Sequence, residues 1–88
     1  MKSSDEKTAL LDKRAAEIAA ISRQRLRYWA KTDLITPDVE RVISQRNVVT
    51  LYSLPRVVEL VVASELRQQG VSLQHMRWII EHLRHQGY

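Results

Sequence analysis

An apolar residue, a serine, and a second apolar residue four places beyond the serine recur in this chain, and two instances stand where a helix can begin, Ile21-Ser22 with Leu26 and Val71-Ser72 with Met76. A serine at that place accepts a hydrogen bond from a free N–H of the first helical turn, and the flanking apolar pair clamps the angle at which the chain enters the helix. Two helix starts are therefore written into the sequence. The first lies just after a short periodic segment in which Leu11, Ala15, Ile18 and Ala19 share one helical face, with Asp12 as the expected N-cap. Two short helices with about three residues between them have the helix-turn-helix spacing.

Pro37 ends the helical pattern after Thr32. Beyond it, Val42-Ile43 and Val48–Tyr52 are β-branched stretches flanking the polar residues 44–47, which reads as a small hairpin. Residues 54–69 are valine-rich, yet Ser53 before the segment, Pro55 in its first turn and Gly70 just past its end define a helix. Apolar residues surround most of it, so it is expected to be central. The last helix, 73–85, is expected to bury Met76, Ile79, Ile80 and Leu83. The expectation is a mainly α domain over 11–88, four helices in two pairs with a small β-hairpin between them. Residues 1–10 are expected to be a disordered lead-in.

Eighty-eight residues make one domain with a modest core, which argues against an enzyme with a deep shielded cleft. The absence of cysteine removes disulfides, thiolate metal sites and thiol nucleophiles, and suits a reducing cytoplasm. No apolar run approaches the roughly 18 residues that span a bilayer, and the polar N-terminus is no secretory signal. The net charge of +4 lies wholly within residues 23–56, between two neutral flanks. A basic block of that kind is the footprint of a phosphate-contacting surface.

Helix 22–31 sits inside that block and breaks a stability rule. Helix N-termini favour acids, yet Arg23, Arg25 and Arg27 crowd the start and no acid follows. At 100° per residue, Arg23, Gln24, Arg27, Tyr28 and Lys31 share an arc of about 140°. Like-charge neighbours such as Arg23 and Arg27 cost a few tenths of a kcal/mol. A DNA phosphate array would relieve that repulsion, and arginine and glutamine are types that read base edges. The plain alternative is a solvated basic face. Arg23, Gln24 and Arg27 are expected to face the major groove, and Tyr28, Lys31, Arg41, Arg46 and Arg56 to hold phosphates.

The string SRQRLRYW at 22–29, followed by TDLITP at 32–37, resembles the S-x-x-T-L-R-Y-Y/W … G-L-x-x-P signature of the MerR family of transcription regulators. Leu51-Tyr52-Ser53 and the string LRQQGVSL at 66–73 continue the resemblance, so that it spans about residues 11–84. The resemblance implies a winged helix-turn-helix, with the first helix pair in the major groove and the hairpin as a wing along the backbone. It places Arg23, Arg27 and Tyr28 at DNA, and the wing near Arg46 and Thr50. The sequence departs from the pattern in four places. Ala20 and Asp33 stand where the family has glycine, Ala30 where it has an acid, and Val48-Val49-Thr50 where it has Gly-Tyr-Arg.

The expectation for function is sequence-specific binding of double-stranded DNA and transcription regulation in the bacterial cytoplasm, at the nucleoid. The chain would act as a homodimer on a palindromic operator, without enzymatic activity, metal or cofactor. Surplus apolar surface on helices 54–69 and 73–85 would supply a protein-binding face, with the polymerase or a toxin as other possible partners. From Leu51 onward the chain also resembles MerR-like antitoxins, so capture of a partner protein with secondary DNA binding stands as the alternative. An architectural protein of the phage excisionase kind is a third reading. Relatives of either sort continue past this point, which leaves open that 11–88 is the DNA-binding piece of a longer chain. Trp29 and Trp78 are expected to pack in a core or interface, and Tyr52 is divided between core and DNA contact. His75, His82 and His85 lack the i, i+4 spacing of a helical zinc motif.

Overall fold

Serine hydroxyls open three of the four helices. In the computed structural model, which describes residues 9–86, the Ser22 hydroxyl accepts from the Arg25 N–H at 3.0 Å. Ser53 accepts from Arg56 N–H at 3.4 Å and Ser72 from His75 N–H at 3.2 Å. The helices they open are α2 (Arg23–Lys31), α3 (Leu54–Gln68) and α4 (Leu73–His85). The remaining helix, α1 (Asp12–Ala19), starts without a side-chain cap, because Leu11 occupies its N-cap position. Asp12 is therefore not the cap the sequence suggested. It lies in the first turn, where a carboxylate favours the helix dipole, and it is also engaged by Arg23.

Three antiparallel strands complete the domain: β1 (Leu10–Leu11), β2 (Val39–Ser44) and β3 (Asn47–Tyr52), with β3 in the middle. The hairpin is longer than its β-branched stretches indicated, for Ser44 pairs with Asn47 across a two-residue turn, past an irregularity after Val42. The third strand was not anticipated. Leu10 pairs with Tyr52 and Leu11 with Leu51, so the expected lead-in yields its last residue to the sheet. Residues 1–8 of that expectation lie outside the described residues. A two-residue strand carries no periodicity, which is why no pattern announced it.

The core gathers Ala15, Ala16 and Ala19 from α1, Leu26 and Trp29 from α2, and Leu34 and Ile35 from the connection after it. Tyr52, Val57, Leu60 and Ala63 close it from β3 and α3, and Met76 and Ile80 from α4. Ile21 packs at its edge with Leu26 inside, as the entry clamp requires. The α1 face is rotated from the one expected. Leu11 and Ile18 are exposed, and Ala16 is buried, because small side chains let α1 lie close on α3. On α3 the apolar surround is only partly covered: Leu54, Val58 and Val61 face outward. On α4 Ile79 and Leu83 are half-buried rather than buried.

One buried charge ties the helices together. Glu59 of α3 is 3% exposed, and its carboxylate accepts from Arg84 of α4 at 2.8 and 3.0 Å and from Arg56 at 3.2 and 3.4 Å. Helix α1 and helix α2 form a helix-turn-helix, and the β2–β3 hairpin stands between the two helix pairs as a wing. The architecture is a winged helix-turn-helix.

Two residues at helix ends take the left-handed conformation: Ala20 (φ 59°) after α1 and Asp33 (φ 63°) after α2. Both stand where the resembled pattern has glycine, so the backbone keeps the glycine geometry without the glycine. This region costs a residue bearing a Cβ roughly 1–2 kcal/mol, less for aspartate, which tolerates it. Glycine returns about 0.4–1 kcal/mol of that gain through its freer unfolded chain. Ala20→Gly is therefore expected to stabilise the domain by about 0.5–1 kcal/mol in urea denaturation. Asp33→Gly should gain less.

Candidate nucleic-acid interface

Helix α2 buries only two residues, Leu26 and Trp29, among the nine from Arg23 to Lys31. Its polar side chains are thereby turned outward, and Arg23, Arg27 and Lys31 line a concave cleft between α2 and the wing. The cleft encloses about 750 Å³ and is bordered by Arg23, Arg27 and Lys31 on the helix and by Arg46, Val48 and Thr50 on the hairpin. Four of the expected contact residues thus meet across one concavity. Among the described residues, Arg27, Lys31 and Arg46 have no carboxylate within ion-pair distance.

The other four expected contacts are distributed differently. Gln24 and Tyr28 border a smaller hollow of about 400 Å³ with Ser22 and Arg25, on the adjoining side of α2. Tyr28 is 48% exposed, so its ring and hydroxyl are available at that surface. Arg41 is exposed on β2, and strand alternation sets it on the face opposite Glu40 and its partner Thr50. Arg56 is a different case. Its guanidinium is 3.5 Å from Asp38 and 3.2 Å from Glu59, and its side chain is only 26% exposed. It braces the start of α3 instead of standing open at the surface.

Carboxylates line the same cleft, which the charge count along the chain did not indicate. Asp12, Asp38 and Glu40 border it together with Tyr52. Asp12 receives Arg23 at 3.3 Å, so that arginine is held against the first turn of α1. Asp38 caps the next helix junction by accepting from the Ser53 N–H at 2.6 Å. The cleft is therefore basic at the helix face and tip of the wing, with acids where the wing joins the domain.

Two aromatic residues, Tyr52 and Trp78, end in opposite surroundings. Tyr52 resolves its divided expectation as a core residue, 2% exposed. Burial, and then the carboxylates of Asp12, Glu40 and Asp38, push its phenol up to about 12. Trp29 is buried at 1%, whereas Trp78 is 64% exposed and stacks on His82 with ring centres 5.2 Å apart. Trp78 borders an apolar hollow with Val71, His75 and Ile79. At 100° per residue Trp78 lies on the side of α4 away from the buried Met76 and Ile80, a face left exposed among the described residues.

The end of α2 is held from α4, which the sequence analysis missed. Arg77 donates to the Thr32 carbonyl at 2.9 Å, and Arg84 donates to the Leu34 carbonyl at 3.2 Å. Arginines on a helix give no such signal on their own. The one visible hint was Glu59, a lone acid within the apolar run 57–63.

The fold and this cleft define a helix-turn-helix protein whose basic helix and wing border a common cleft. The profile of the MerR HTH family of regulatory proteins matches residues 13–87. The chain belongs to that family, and DNA binding and transcription regulation are the activities this membership supports. It is 36% identical over 76 residues to proteins of Mycobacterium bovis and of two strains of Mycobacterium tuberculosis, each described as an uncharacterized HTH-type transcriptional regulator. The match covers 83% of this chain but 32% of the length of those relatives. Among the described residues no helix is long and apolar enough to cross a membrane.

The raised Tyr52 phenol has a consequence for stability at high pH. An unfolded chain loses this proton near pH 10, while the folded chain holds it until about 12. Stability is thus fully present below pH 10 and lost as pH rises through that window, by on the order of 2 kcal/mol. The difference in urea stability between wild type and Tyr52→Phe should narrow by that amount from pH 10 to 12. A constant difference would contradict the assignment.

Proposed function

We propose that the chain reads double-stranded DNA with α2 in the major groove and the wing against the adjoining backbone. The observation that carries this reading is the cleft that places Arg23, Arg27 and Lys31 opposite Arg46. A partner with two rows of regularly spaced anions fits such opposed cations, and the duplex backbone supplies them. Arg23, Gln24 and Arg27 reach the base edges, where arginine meets guanine O6 and N7 and glutamine meets adenine. Tyr28, Lys31, Arg41 and Arg46 hold phosphates and set the register of the helix. Arg56, engaged by Asp38 and Glu59, is assigned to bracing the domain.

The regulator acts on a palindromic operator as a homodimer, at the bacterial nucleoid in the cytoplasm. Two copies related by a two-fold axis would present α2 to half-sites about one helical turn apart. The outward-facing Leu54, Val58 and Val61 on α3 and the exposed Trp78 on α4 supply apolar surface for a protein contact. The same surface supports a second reading, capture of a different protein in the manner of an antitoxin, with DNA binding secondary to it. In either case the chain acts by binding.

Fluorescence titration of duplex DNA at two salt concentrations tests the interface. Arg27→Ala should bind the preferred duplex about tenfold more weakly, the scale of one lost bidentate base contact. Lys31→Ala should lower the slope of log K against log salt by roughly 0.9, as one phosphate contact is lost. Equal affinity of wild type and Arg27→Ala would remove Arg27 from the reading surface.

A further inference from the structure

Helix α2 is held to the domain by few points. Its two buried side chains, Leu26 and Trp29, are three residues apart on one face. Two anchors define a line, and a helix fixed on a line can still pivot about it. Orientation needs a third point away from that line.

The structure supplies it from α4. Thr32, which ends α2, turns its hydroxyl and its N–H back onto the Tyr28 carbonyl, at 2.9 and 3.0 Å. Its own carbonyl receives Arg77, 45 residues further along the chain, at 2.9 Å. The bond joins a guanidinium to the negative end of the helix dipole, where a cation is favoured. Two turns further along α4, Arg84 donates to the Leu34 carbonyl at 3.2 Å while also holding the buried Glu59. The two arginines therefore grip the chain on both sides of Asp33, the residue with positive φ that turns it out of the helix. Leu34 and Ile35 then return their N–H groups to the Trp29 carbonyl at 2.9 and 3.3 Å. The exit of α2 is one closed set of bonds anchored on α4.

We propose that Arg77 is a positioning residue for DNA recognition, setting the angle of α2 against the wing through the Thr32 carbonyl without touching DNA itself. The inference rests on the DNA-reading role given to α2. It makes α4 an element on which the readout depends, although α4 carries none of the reading side chains. A shift of α4 would be transmitted to the reader as a change of angle, which affects base contacts more than phosphate contacts. Base contacts require bidentate geometry, whereas phosphates are held by adaptable side chains.

The test compares wild type, Arg77→Met and Arg77→Lys, each first shown folded by its urea transition. Each is titrated with a duplex enriched by wild type from a random pool and with a mixed-sequence duplex, over a range of salt. Arg77→Met should lose about fivefold to tenfold in affinity for the enriched duplex. Its affinity for mixed-sequence DNA and its salt slope should be unchanged, and Arg77→Lys should recover part of the loss. Equal losses on both duplexes with a slope lower by roughly 0.9 would make Arg77 a phosphate contact and overturn the proposal. Wild-type behaviour of Arg77→Met on both duplexes would overturn it as well, leaving DNA reading by α2 intact. Failure of wild type to enrich or bind any duplex would overturn the DNA reading itself, and this inference with it.

Discussion

Glu59 lies between elements that the rest of the fold must hold in register. A carboxylate at 3% exposure has given up its water, and removing an ionised group from water costs several kcal/mol unless protein groups replace the solvent. Here Arg56 and Arg84 do so from α3 and α4, with four hydrogen bonds of 2.8–3.4 Å. Arg56 carries the tie on to Asp38 before the wing, and Arg84 carries it on to the Leu34 carbonyl after α2. One buried charge is thus connected to the start of the hairpin, the exit of α2, the start of α3 and the last turns of α4. Apolar packing holds these parts together, but it is non-directional. The charged bonds have direction, and they decide how the parts are turned.

The turning matters because α2, the proposed reader, is small. Nine residues of α2 bury two side chains, and the remainder is a basic surface with internal repulsion. Such a helix gains little from its own composition and depends on its attachments at both ends. At the entry these are the Ser22 cap and the pair Ile21–Leu26. At the exit they are the Thr32 and Asp33 turn and the arginines of α4. The cost of placing Arg23, Arg25 and Arg27 at a helix N-terminus is offset in this account by the polyanion they meet. Asp12, 3.3 Å from Arg23, offsets part of it in the free protein.

Much of this was legible in the sequence because it is governed by local rules. Serine caps, the paired apolar clamps and the proline and glycine stops located three helices to within about a residue. The basic helix identified itself by violating the dipole preference. Ala20 and Asp33 were visible as departures from a glycine pattern, although only the backbone shows that both retain positive φ. What escaped has no local period. The strand Leu10–Leu11 is too short to alternate, and α1 chose its buried face by how closely alanines allow α3 to approach. Arg56 and Lys31 read alike as cations in the same basic block, and only the fold sets one against two carboxylates and leaves the other open. Trp29 follows Leu26 by three residues and is core, whereas Trp78 lies about 200° round α4 from Met76 and is surface. Which side of a helix is covered depends on elements far away in the chain.

The central claim is that α2 reads sequence in duplex DNA and does so in two symmetric copies. Selection of bound duplexes from a random pool measures both at once, by what is enriched and how it is arranged. The account predicts an inverted repeat whose half-sites lie about one helical turn apart. It further predicts that the enriched bases change when Gln24 is replaced, since that side chain is proposed to meet a base edge. A pool that stays random, or an enriched sequence indifferent to residue 24 and to Arg23 and Arg27, would contradict it.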